Sequence, residues 1–233
     1  MKKTLIALAA VAATGAAFAQ SSVTLYGVAD VAVGKANTAA GAGLSNTIAA
    51  TANPTGLGLG NDKFQAIASN TLNNGTSRYG FRGVEDLGGG LKAGFNFEAG
   101  ISLADGSANK SGGQAFSRAA NVSLMGGFGE IRAGRSLNAS YYSVASWELT
   151  GTANYSVVAN QFNYAGAGPR DTAQVMYRSP SFSGLTVDVA TVLKGNDAAA
   201  TAGDQSKYDI AATYVAGPLA ASLAYNKVSG ATK

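Results

Sequence analysis

The sequence predicts an all-β fold: an antiparallel transmembrane β-barrel preceded by a cleavable signal peptide. Three observations predict it. An export signal opens the chain, and apolar residues then recur at every second position in segments of about ten residues. The connections between those segments alternate between long and very short.

The export signal occupies residues 1–19. Met1-Lys2-Lys3 forms a basic start, residues 4–18 an apolar, Ala-rich run, and Ala17-Phe18-Ala19 a small-x-small processing site, so that the mature chain begins at Gln20. An uncleaved anchor would need about 20 apolar residues, and this run is shorter and ends in the processing site. Residues 20–233 then read as one domain. There is no Cys, so packing and hydrogen bonds must stabilise the exported protein without disulfides. Of the 17 Lys and Arg, two are Lys2 and Lys3 of the signal, and the rest nearly balance the 13 Asp and Glu. Such a balance offers no electrostatic footprint for nucleic acid.

Alternation places nine strands. Residues 91–103 are the cleanest: Leu91, Ala93, Phe95, Phe97, Ala99, Ile101 and Leu103 fall on one parity, and Lys92, Gly94, Asn96, Glu98, Gly100 and Ser102 on the other. A helix would scatter those charges around its circumference, whereas a strand sorts them onto one face. Residues 21–35 follow the same rule, with Val23, Leu25, Val31 and Val33 opposite Thr24, Tyr26 and Asp30. So do residues 77–86, where Tyr79 and Phe81 oppose Arg78 and Arg82. The remaining strands are predicted at 118–125, 129–135, 173–178, 184–194, 206–215 and 218–228.

Four connections are tight or short: 87–90, 126–128, 179–183 and 216–217. Each carries Gly or Pro, as sharp hairpins require. Between them lie longer polar stretches at 36–76, 104–114, 136–172 and 195–205. Short turns at one end and long loops at the other are the outer-membrane pattern, with turns periplasmic and loops extracellular.

The chain has no His, which excludes a Ser-His-Asp triad, a His metal site and a His acid/base pair. Gly56-Leu57-Gly58-Leu59-Gly60 and Gly88-Gly89-Gly90-Leu91-Lys92 do not fit the phosphate-cradling patterns and read as loop and turn glycines. No catalytic residue, metal site or cofactor is expected. The informative polar residues are the charges opposite the apolar face. A Lys or Arg facing the bilayer midplane costs about 2–4 kcal/mol, so Arg78, Arg82, Lys92, Arg132, Asp30, Glu98, Glu130 and Asp188 are expected to point into the lumen. Trp147, the single Trp, falls in the 136–172 connection and is expected to pack that loop.

Several longer motifs carry a resemblance. They are Ser22-Val23-Thr24-Leu25-Tyr26-Gly27, then Ser77-Arg78-Tyr79-Gly80-Phe81-Arg82-Gly83-Val84-Glu85-Asp86-Leu87-Gly88, Gly127-Phe128-Gly129 with Gly134-Arg135, and Tyr177-Arg178-Ser179-Pro180-Ser181-Phe182-Ser183-Gly184. In this order they resemble the general bacterial porins, in particular the sixteen-stranded trimeric branch typical of beta-proteobacteria. The resemblance implies a homotrimer in outer-membrane lipid, with a water-filled channel in each subunit for small hydrophilic solutes and ions, often with anion preference. It also implies that the 136–172 connection folds inward and narrows the pore. Wall arginines at Arg78, Arg82, Arg132 and Arg135, together with Lys92 and Glu98, would line the constriction, with Glu148 as their acidic partner on the loop. The family's wall motif usually carries Asn near the position of Ala173. Against sixteen strands, the nine here read as an N-terminal part of the barrel. The competing expectation is a non-conducting structural or adhesin-like barrel that works through its long loops.

Overall fold

A computed structural model of the chain describes residues 22–34, 65–68, 73–103, 105–109, 114–154, 156, 158–159, 168–192 and 206–229. The signal segment and its cleavage residues Ala17, Ala19 and Gln20 lie outside the described residues. Nine antiparallel strands follow one another around a single sheet: β1 (Ser22–Val28), β4 (Arg78–Gly88), β5 (Leu91–Ile101), β7 (Ala119–Gly126), β8 (Gly129–Leu137), β9 (Arg170–Arg178), β10 (Leu185–Val192), β11 (Ser206–Ala216) and β12 (Leu219–Ser229). The short β6 (Ala108–Asn109) adds to β5, and a separate two-stranded sheet pairs β2 (Val31–Gly34) with β3 (Gln65–Ala68). The four longest wall strands have 11 residues each, enough for a tilted strand to cross a hydrocarbon core. Among the described residues no helix is long and apolar enough to do so.

Alternation sets the two faces of the wall. Val23 and Leu25 of β1, Val122 and Leu124 of β7, Val175 and Tyr177 of β9, and Leu223 and Tyr225 of β12 are all exposed on the outer face. Their exposure runs as high as 77% at Leu25 and Leu223, the expected state of side chains whose solvent is lipid. Phe81, Phe95, Phe97 and Phe116 form an aromatic cluster, with ring centroids 5.2–6.3 Å apart. Phe81 and Phe97 are directly paired across β4 and β5.

The structure corrects three expectations about the elements. The predicted first strand is broken at Ala29-Asp30, where the chain leaves the wall to pair β2 with β3. Asp30 is the reason. Its carboxylate accepts hydrogen bonds from Asn73 Nδ2 and from the Gly75 N–H, both at 2.9 Å. Its backbone exchanges hydrogen bonds with the Ser77 hydroxyl. Asp30 therefore ties the end of β1 to the turn before β4 and does not line the lumen. Asn73 and the Gly75 N–H hold its carboxyl below the usual range. Second, the long connections predicted at 36–76 and 104–114 contain β3 and β6.

Third, the 136–172 connection contains a helix that strand periodicity did not reveal, α1 (Ala139–Ala145). Asn138 caps it: its Oδ1 accepts from the Tyr141 N–H at 2.9 Å, while its Nδ2 donates to the Gly168 carbonyl at the far end of the loop. The helix is seated on the inner wall over β10, β11 and β12. Small wall residues allow the approach, so that Ala139, Met176, Ala190 and Ala211 form a buried cluster with Tyr142 packed against it. Polar contacts fix the seat. The Ser140 N–H and hydroxyl both donate to Asp209, at 3.1 and 2.5 Å, and Asn226 Nδ2 donates to the Ser140 hydroxyl. Lys207 lies between two buried carboxylates, 2.9 Å from Asp171 and 4.0 Å from Asp209, and offsets part of their charge.

Candidate functional site

Between α1 and the strands facing it lies a cavity of about 460 Å³. Its charged lining is Arg82 (β4), Glu98 (β5), Arg118 before β7, Glu130 and Arg132 (β8), and Arg170 (β9), with Tyr142 contributed by α1. These residues reach one space because an antiparallel meander brings the inward parity of each strand beside that of the next.

Both carboxylates are answered by arginines. Glu98 accepts from Arg118 Nε at 2.6 Å, lies 3.6 Å from Arg78 and also accepts from the Tyr26 hydroxyl at 2.9 Å. Glu130 is held by Arg132 through Nε and Nη2, a forked geometry that gives an ion pair direction as well as charge. Arg82 and Arg170 have no carboxylate partner among the described residues. The Arg82 guanidinium lies 5.2 Å from the centroid of the Tyr26 ring, and Arg170 donates to the Arg118 carbonyl. Four arginines thus share the cavity with two carboxylates, each already paired. Just beyond, Arg178 and Asp188 face each other on β9 and β10 and bond through two nitrogens at 2.6 and 3.0 Å.

Arg82, Glu98 and Arg132, singled out in the sequence, meet in the cavity, and Arg78 approaches through Glu98. Lys92 does not join them. It lies one residue into β5, beside the Gly88-Gly89-Gly90 turn, and is exposed. Arg135 falls on the parity of Ile131 and Ala133, and its guanidinium donates to the Ser117 carbonyl and the Thr172 hydroxyl, both at 2.6 Å. Glu148 is not the partner of the wall arginines. Its carboxylate accepts from the Thr150 N–H and hydroxyl, the Thr152 N–H and the Ser156 hydroxyl, all within its own loop. Burial would raise its carboxyl, but those hydrogen bonds outweigh it and bring it down to about 2. Trp147 packs the loop as expected: its Nε1 donates to Ser222 of β12 at 2.8 Å, and its ring covers Val144 and Ala159.

Arg118, Arg170 and Tyr142 were missed as site residues. Arg118 and Arg170 sit at strand starts, where the alternation is too short to assign a face. Tyr142 lies on a helix in a stretch read only as loop.

A family model described as Gram-negative porin matches residues 4–233. The chain belongs to the Gram-negative porin family. Outer membrane porin protein 32 of Delftia acidovorans is 39% identical over 232 residues, covering 96% of this chain and 59% of that one. An outer membrane porin protein of Bordetella pertussis is 32% identical over 244 residues, covering 98% of this chain and 60% of that one. The chain therefore spans about three fifths of the length of these relatives. An anion-selective porin from Comamonas acidovorans has a similar structure, with a TM-score of 0.63 and 30% identity over 89% of this chain and 57% of that one. A loop-deletion mutant of the Vibrio cholerae outer-membrane protein OmpT, at 12% identity and a TM-score of 0.57 over 88% and 52%, shares the fold. The nine-strand meander is thus a porin barrel wall, and the protein is one of the outer membrane.

Proposed function

We propose that this porin forms a water-filled diffusion channel for small hydrophilic solutes and ions, with a mild preference for anions. We also propose that it works as a homotrimer after residues 1–19 are removed. The observation that carries this reading is the imbalance of the cavity lining. Arg118 and Arg132 are matched by Glu98 and Glu130, which leaves Arg82 and Arg170 as fixed positive charge on strands to either side of the Glu98–Arg118 pair. Basic side chains on a water-filled passage raise the local concentration of anions and lower that of cations. Two of the four arginines are already compensated, so a mild preference follows rather than an exclusive one. The anion selectivity of the structurally similar Comamonas acidovorans porin supports the same direction.

The test is reversal potential across a planar bilayer under a potassium chloride gradient. The wild-type protein should reverse on the chloride side of zero. Substituting Arg82→Gln together with Arg170→Gln should move the potential toward the cation side. A wild type that reverses on the cation side, or a double variant that leaves the potential unmoved, would remove the anion preference.

A further inference from the structure

Tyr142 is the one residue of α1 that lines the cavity, and it is gripped by two arginines from neighbouring wall strands. Arg132 of β8 donates from Nη1 to its hydroxyl at 2.9 Å. The Arg178 guanidinium of β9 lies 4.1 Å from its ring centroid. The polar anchors of α1, made by Ser140 and Ser143, run the other way, to β11 and β12. Tyr142 is therefore the brace that ties the helix to β8 and β9. Each arginine keeps its own carboxylate, Glu130 for Arg132 and Asp188 for Arg178. With their charge already compensated, the two guanidiniums can share one ring, whose negative face suits Arg178 and whose oxygen accepts from Arg132.

We propose that Tyr142 sets the specificity of the channel through two separable parts of one side chain. This inference rests on the diffusion-channel reading above. The ring, held edge and face by the wall, limits the width of the passage on the helix side. The hydroxyl occupies one N–H of Arg132 Nη1 and so keeps that donor from being offered to a passing anion. Tyr142 is a positioning residue for Arg132 and a steric limit in its own right.

Two substitutions separate the parts. Tyr142→Phe keeps the ring and its stacking on Arg178 but removes the acceptor for Arg132. Single-channel conductance should stay at the wild-type value while the reversal potential moves further toward chloride. Tyr142→Ala removes both parts. Conductance should rise, and liposome swelling should admit larger uncharged sugars than the wild type admits. A general loosening of the helix would move conductance and selectivity together in both variants, and so would not produce the split expected of Phe. The inference is overturned if Tyr142→Phe leaves the reversal potential unmoved, or if Tyr142→Ala leaves conductance and the sugar limit unmoved, while the wild type conducts. A wild type that conducts no ions would instead overturn the channel reading, and the inference with it.

Discussion

The phenol of Tyr26 reaches across Gly80 to hydrogen-bond the Glu98 carboxylate at 2.9 Å. The three residues stand in one row on neighbouring strands, Tyr26 opposite Gly80 and Gly80 opposite Glu98. A Cβ at Gly80 would lie 2.9 Å from the Tyr26 hydroxyl and 2.5 Å from the Phe97 carbonyl. Only a residue without a side chain leaves that path open, and the Glu98–Arg118 pair acquires its third partner through it.

Gly80→Ala should therefore push the Tyr26 ring off Glu98 and destabilise the folded protein by about 1–3 kcal/mol, the usual cost of forcing an added methyl group into packed space. Thermal unfolding in detergent, followed by the loss of β-sheet circular dichroism, measures it. An unchanged midpoint would mean that the ring has room the geometry does not show.

Glu98→Gln should strengthen anion preference. The substitution removes the charge that holds Arg118 at 2.6 Å and Arg78 at 3.6 Å, leaving both uncompensated. The shift in reversal potential should be large at about 0.01 M salt, where the screening length is about 30 Å, and small at about 1 M, where it is about 3 Å. A shift independent of salt would point to a change in pore shape rather than in charge.

Ala173 holds a φ of +52° at the irregularity where β9 carries an extra residue against Gly134–Ser136 of β8. An L residue with a Cβ is strained there, whereas Gly is at ease and Asn is tolerated. Ala173→Gly should stabilise the barrel by about 1 kcal/mol, with Ala173→Asn, the residue usual near this position in the family, in the same direction. Denaturant or thermal unfolding of the two variants against wild type decides the sign.

The loop bearing α1 should resist acid until well below the ordinary range of a glutamate. The Glu148 carboxyl falls from 4.5 to about 2 on folding. A lowered folded value contributes stability that is fully present above the unfolded pKa and disappears as pH falls through the folded one. Undocking is therefore expected between about pH 4.5 and pH 2. Trp147, bonded to Ser222 beside this carboxylate, reports it. Its fluorescence, isolated by subtracting a Trp147→Phe variant, should hold steady through pH 5 and change below. Glu148→Gln should undock the loop at neutral pH, and a loop signal that titrates near pH 6 would contradict the assignment.

Nearly all of the wall was legible in the chain. Alternation located the nine strands to within a few residues, because a strand between lipid and water must sort its side chains by parity whatever its neighbours are. The same sorting marked Arg82, Glu98 and Arg132 as inward charges, since facing them outward into lipid would be costly. Ala29 and Asp30 broke the first strand because the hydrogen bonds of Asp30 to Asn73, Gly75 and Ser77 join positions more than 40 residues apart, beyond any local pattern.

What the tertiary structure decided is which inward charges meet and which are already matched. Parity gives a face but no height along the barrel, so Lys92, on the same face as Glu98, stands at the turn and outside the cavity. Nor could it place α1, whose seat depends on Ala190, Ala211 and Asp209 arriving beneath it from strands far along the chain. Glu148 shows the limit most plainly. Its charge and loop position suggested a partner for the arginines, yet a carboxylate surrounded by Thr150, Thr152 and Ser156 satisfies its oxygens with the donors nearest in sequence. The strands and their faces follow from the chain alone because solvent on each side dictates them residue by residue. The charge of the cavity is a sum over pairs, and only three-dimensional adjacency makes pairs.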